Sequence, residues 1–120
     1  MAPGVATSIN MRAWSPRDIA LTPDGSWALV ACGAGIARTD GVNSALVPSA
    51  GPLEAVVMSA PTLKAYAVSP DAGWLCEIGG DRGRGNLGLL LQTVPLGGRP
   101  AGVAVSPDGR RVYVTDTQLN

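Results

Sequence analysis

The 120-residue chain has no histidine and no phenylalanine, and its aromatic share is only 4%. Without histidine there is no Ser-His-Asp or Cys-His nucleophile, and the commonest metal ligand is missing too. No G-x-S-x-G elbow exposes a serine. Charge of one sign is also lacking. Nine basic and nine acidic residues give zero formal charge, which leaves no electrostatic footprint for nucleic acid or an anionic membrane. No window approaches the roughly 18–20 apolar residues that cross a bilayer. Met1-Ala-Pro-Gly-Val-Ala-Thr lacks the basic region and apolar run of a secretory signal, so the chain as read is expected in the cytoplasm. No metal or organic cofactor is expected.

Glycine and proline are plentiful instead, at 16 and 10 residues, and 46% of the chain is hydrophobic. That composition suits a core built from short strands and tight turns. The clearest unit is AGVAVSPDGRRVYVTD at 101–116, in which two β-branched runs flank Pro107-Asp108-Gly109. Proline presets φ, aspartate bonds its own backbone, and glycine takes the left-handed position. Shifted back by 84 residues, Pro16 matches Pro100, Ile19 matches Val103, Thr22-Pro23-Asp24-Gly25 matches Ser106-Pro107-Asp108-Gly109, and Leu29 matches Tyr113. A degraded copy lies between, with Ala55–Ser59 and Lys64–Ser69 flanking Ala60-Pro61-Thr62-Leu63. The three turn-opening residues, Thr22, Ser59 and Ser106, are separated by 37 and 47 residues. A period near 40 with strand content points to four-stranded propeller blades. A second register also stands, with Ser69-Pro70-Asp71-Ala72-Gly73 as the middle turn. The first is preferred because Trp74–Ile78 then forms a third strand.

The stretch VPLGGRPAGVAVSPDGRRVYVTD at 94–116 resembles the YVTN-type β-propeller repeat, with Tyr113-Val114-Thr115-Asp116 at the naming motif and Asp where the repeat has Asn. The match is strongest there, looser over 16–32 and faint over 53–69. The resemblance implies an all-β propeller fold rather than an activity. Relatives of this repeat include cell-surface proteins, lactonase-like enzymes and subunits of periplasmic redox enzymes. Many are exported.

On this pattern the first blade comprises 17–22, 27–32, 34–39 and 44–48, and the second 54–59, 64–69, 73–78 and 87–94. Half a third blade follows at 101–106 and 111–116, and Val5 to Met11 takes the place of an outer strand left over from another blade. The chain thus reads as one partial propeller (outer strand 5–11, blade 17–48, blade 54–94, half blade 101–116). Closed rings need about four to eight blades, so about two and a half make an incomplete ring. The expected partners are missing blades of a longer propeller, or further copies of this chain that close the ring. An open array with capped ends would also answer, but no polar capping repeat is visible.

Gly83-Arg84-Gly85-Asn86-Leu87-Gly88 matches G-x-G-x-x-G, but Pro95 leaves no room for the helix that a dinucleotide site needs. A flexible loop is the expectation. Cys32 and Cys76 are read as buried small hydrophobes, with a disulfide left open. Asp24 and Asp108 repeat within the turns and are assigned to them. Trp14, Trp27 and Trp74 are expected to pack between blades.

In propellers resembling this one, ligands meet the face formed by loops entering the innermost strand and leaving the second. By that resemblance Arg17, Asp18, Glu54 and Arg99 lie on entry loops, and Asp71, Asp116 and Gln118 on exit loops. No catalytic residue is assigned. The favoured function is a non-catalytic platform for a protein or small-molecule ligand, and the alternative is part of a lactonase-like hydrolase.

Overall fold

The computed structural model describes residues 9–47 and 51–118. Among the described residues there are two complete sheets and one partial sheet. The first contains β1 (Pro16–Leu21), β2 (Ala28–Cys32), β3 (Gly35–Thr39) and β4 (Ser44–Val47). The second contains β5 (Ala55–Ser59), β6 (Lys64–Ser69), β7 (Trp74–Gly79) and β8 (Leu90–Pro95). The third has β9 (Pro100–Val105) and β10 (Val112–Asp116). Each sheet is antiparallel, with strands in chain order. The described residues form no α-helix, and none has a helix long and apolar enough to cross a membrane. These sheets are the blades of an all-β, incomplete propeller.

The blades stack face to face, with β5 packed between β1 and β9. Every residue of β2 is buried, the pattern of a strand covered on both faces. Leu29 and Ala31 point one way and join Ile36, Val56, Ala65, Ala67, Cys76 and Ile78 in the core between the first two blades, which Leu53 and Leu87 complete. Fully burying a side chain such as Leu29, Ile36 or Ile78 contributes about 1.5–3 kcal/mol. Val30 and Cys32 point the other way, into a smaller cluster with Met11 and Ala37. Trp14 packs there too, on the far side of blade one, whereas Trp27 packs against the inter-blade core and Trp74 stays half-buried at the start of β7.

The two well-formed turns repeat in detail. Thr22 and Ser106 close their turns by donating backbone N–H groups, Thr22 to Trp27 O (2.8 Å) and Ser106 to Arg111 O (2.9 Å). Gly25 and Gly109 share a φ of 75°, which a β-carbon disfavours. Residues 60–63 join β5 to β6, and Pro70–Gly73 joins β6 to β7.

Two expectations change. Of the outer strand proposed at 5–11, residues 5–8 lie outside the described residues, and 9–11 form no strand. Asn10 Oδ1 accepts from Arg12 N–H (3.0 Å) and Trp14 N–H bonds Met11 O (2.8 Å), so the chain winds into a 3-10 turn at Arg12–Trp14 instead. The last strand of blade two starts at Leu90 rather than at 87, because Leu89 N–H bonds Asn86 O and Gly88 takes a φ of 82°. Pro48, the expected end of β4, lies outside the described residues.

The blade faces at the two ends differ from those inside. Ile19 and Leu21 on β1 are 60% and 61% exposed, while Val56, at the place in blade two that Ile19 holds in blade one, is 3% exposed. Tyr113 on β10 is 59% exposed, and its counterpart Leu29 is fully buried.

Candidate functional site

Strands β1, β5 and β9 all begin at one rim, and β2, β6 and β10 end there, as the pairings Pro16 with Cys32, Ala55 with Val68 and Pro100 with Asp116 require. The seven candidates therefore sit on this rim: Arg17 and Asp18 on β1, Glu54 before β5, Asp71 after β6, Arg99 before β9, and Asp116 and Gln118 at and after the end of β10.

They form two groups. In the first, Arg17 Nη1 meets Glu54 Oε2 at 3.0 Å, linking blade one to blade two. Asp18 Oδ1 accepts from Ile19 N–H (2.9 Å), and its Oδ2 accepts from Val56 N–H across the blade boundary (3.0 Å). In the second, Arg99 Nη1 meets Asp71 Oδ1 at 3.1 Å, linking blade three to blade two. Asp116 Oδ1 accepts from Arg99 N–H (3.2 Å) and Gln118 N–H (2.8 Å). Both ion pairs are roughly half exposed, so each is worth only about 0–1 kcal/mol. Asp18 is different in kind, because its two oxygens each hold a backbone donor. The same backbone logic recurs where Leu53 N–H bonds Cys32 O (3.0 Å) as the chain crosses between blades.

Arg17 and Asp18 also line a cleft of about 330 Å³ with Met11, Pro16, Ile19 and Val30, on the side of blade one that faces away from blade two. The rim thus sets paired charges beside an apolar wall. No grouping of three metal-ligating residues occurs among the described residues.

At the opposite rim, Asp24 accepts from Ser26 N–H (3.0 Å), the Ser26 hydroxyl (2.7 Å) and the Thr22 hydroxyl (2.8 Å). These bonds, those from Ser26 foremost, lower its pKa to about 2. Asp108 is lowered in the same way by the Ser106 hydroxyl and Arg110 N–H. Gly83–Gly88 builds no phosphate-cradling helix; Arg82–Arg84 is a single 3-10 turn capped by Asp81. Cys32 and Cys76 are free, buried and in separate clusters, and burial raises both thiol pKa values. Trp27 and Arg38 of blade one meet Arg82 of blade two at this rim without any signal in the sequence, because only the stacking of the blades brings Arg82 to them.

No family model matches the chain, and no curated protein does. Solved structures do. Hydrazine synthase from Kuenenia stuttgartiensis matches with a TM-score of 0.68 at 20% identity, over 96% of this chain and 33% of that one. A dihydro-heme d1 dehydrogenase matches with a TM-score of 0.64 at 18% identity, over 82% of this chain and 23% of that one. A gluconolactonase from Xanthomonas campestris matches with a TM-score of 0.63 at 19% identity, over 84% and 34% of the two chains. Such likeness establishes the β-propeller fold. The chain spans at most about a third of the length of these structures.

Proposed function

We propose that the chain supplies consecutive blades of YVTN type to a propeller ring and that the rim of Arg17, Asp18, Glu54, Asp71, Arg99, Asp116 and Gln118 serves as a non-catalytic platform for a protein or small polar ligand. The supporting observation is the double engagement of Asp18, whose oxygens hold Ile19 N–H and Val56 N–H. A carboxylate committed to two backbone donors holds blades in register and is poorly placed to take a proton from substrate. The remaining blades come from a longer propeller or from further copies of this chain, which would cover Ile19 and Leu21 at one end and Tyr113 at the other. Exposed apolar surface of this kind marks an interface.

A second reading has support from the structural likeness to a gluconolactonase: the blades belong to a hydrolase that opens a sugar lactone near the central channel. Asp18, Arg17 and Glu54 would then contribute from this chain. Hydrolysis assays on several sugar lactones separate the two. Turnover that disappears in D18N while the fold persists would favour the hydrolase. Absence of turnover, together with saturable binding at this rim that R17A or R99A weakens, would support the platform.

A further inference from the structure

We propose that a pocket at the turn-side rim, between the first two blades, binds a phosphate monoester through Arg38 and Arg82. The pocket measures about 210 Å³ and is lined by Trp27, Arg38, Arg82, Gly85 and Leu87. Trp27 stands just before β2, Arg38 lies on β3, and the others come from the connection between β7 and β8. The site lies on the rim opposite Arg17 and Glu54, so it stands or falls independently of the platform.

Neither of its arginines is held in a salt bridge among the described residues, although Asp24 and Asp81 line the adjoining hollow beside Arg82. Arg17, Lys64, Arg84 and Arg99 are each held by a carboxylate, respectively Glu54, Glu77, Asp81 and Asp71. Arg38 and Arg82, like Arg12, Arg110 and Arg111, have no such partner among the described residues. Asp81, next to Arg82 in sequence, is already engaged, its Oδ1 by Gly83 N–H (2.9 Å) and its Oδ2 by Arg84 Nε (3.5 Å). A chain of zero net charge therefore places two unpaired guanidinium groups on one pocket.

Both groups are also oriented. Arg38 Nη1 donates to Leu87 O at 2.8 Å, which fixes the plane of the fork and leaves its other N–H groups for a ligand. The Arg82 guanidinium carbon lies 5.1 Å from the Trp27 ring centroid, within cation–π range. Guanidinium forks match the oxygens of phosphate in geometry as well as charge. A monoester carries close to two negative charges at neutral pH, since its second pKa is about 6. Two forks suit that dianion better than a carboxylate or a singly charged diester, and the exposed part of Trp27 offers apolar surface to a small organic body.

The test is calorimetric titration of the full chain with phenyl phosphate at pH 7.5 and constant ionic strength, with benzoate and dimethyl phosphate as comparisons. Saturable binding of phenyl phosphate is expected, with benzoate and dimethyl phosphate weaker by about tenfold or more, the factor that each 1.4 kcal/mol supplies. R82Q changes an exposed side chain, keeps the fold, and should weaken binding by about tenfold or more. R110Q, on the third blade's turn, should leave it unchanged. Lack of saturation up to about 20 mM, equal binding of benzoate or the diester, or full affinity in R82Q would overturn the proposal. R38Q also loses the bond to Leu87 O, so its result counts only where its circular dichroism matches that of the parent.

Discussion

Arg17 and Glu54 occupy the same place in successive blades, each five residues before the residue that opens its blade's turn, and their side chains meet at 3.0 Å. Opposite charges at equivalent positions turn a sequence repeat into a contact between neighbours. Asp71 and Arg99 repeat the device between blades two and three with different positions, at 3.1 Å. The rim is thus laced from blade to blade, with the backbone bond from Val56 to Asp18 adding a further link between blades one and two.

The lacing should be unequal in strength. A double-mutant cycle on R17A and E54A is expected to give a coupling of about 0.2–1 kcal/mol, as for other exposed pairs. D18A should cost more, about 1–3 kcal/mol, because Val56 N–H loses its acceptor in a partly buried place. Urea unfolding of the single and double variants measures both, and a D18A cost below that of E54A would contradict the ordering.

The two equivalent turn glycines should respond differently to alanine. At Gly25 a new β-carbon meets nothing within 4 Å, so G25A costs only the left-handed strain, about 1–2 kcal/mol. At Gly109 the β-carbon would lie 2.7 Å from Ser59 Oγ and 2.9 Å from Thr62 Cγ2, on the turn of the preceding blade. G109A should therefore add overpacking of about 1–3 kcal/mol to the same strain. Comparing the midpoints of the two variants isolates the contact between blades.

Acid should loosen the turns before it affects the core. The Asp24 pKa is depressed from 3.8 to about 2 by bonds from Ser26 N–H, then the Ser26 and Thr22 hydroxyls. Asn43 and Val42 N–H groups depress Asp40, and the Ser106 hydroxyl and Arg110 N–H depress Asp108. A folded-state pKa below the unfolded one means stability that is fully present above the unfolded value and lost as pH falls through the folded one. The loss should fall mainly between about pH 4 and pH 2. D24N and D108N should each flatten that limb in thermal unfolding scans, with little change in its shape above pH 5.

The thiols give a probe of packing. Cys32 and Cys76 are fully buried in different clusters, and burial raises both pKa values. Thiolate is the reactive form, so a thiol reagent at pH 8 should label neither cysteine in the native chain and both in urea. Rapid labelling of Cys32 alone would show that the cluster around Met11 opens separately from the inter-blade core.

Much of the blade pattern was legible because it is local. Pro107-Asp108-Gly109 and Pro23-Asp24-Gly25 specify their turns within four or five residues, and the flanking apolar runs specify the strands. Val5–Met11 was less legible: its apolar residues suit a strand, but Asn10 and the backbone of Met11 close a 3-10 turn that periodicity does not report. At the rim, the resemblance picked out Arg17, Asp18, Glu54, Asp71, Arg99, Asp116 and Gln118, but not their bonding, since which acid meets which base depends on how blades stack. The pocket of Trp27, Arg38 and Arg82 was invisible for the same reason. Trp27 and Arg38 belong to blade one, whereas Arg82 comes from the β7–β8 connection of blade two.

The most direct measurement is the molar mass of the purified chain by light scattering on a sizing column at micromolar concentration. Blades that belong to a ring, with Ile19 and Leu21 exposed at one end and Tyr113 at the other, should appear as a discrete oligomer or as an aggregating species. A discrete oligomer points to copies of this chain closing the ring, and aggregation to blades supplied by a longer propeller. A monodisperse, soluble monomer of 12.2 kDa would contradict the claim that these blades need others to cover them.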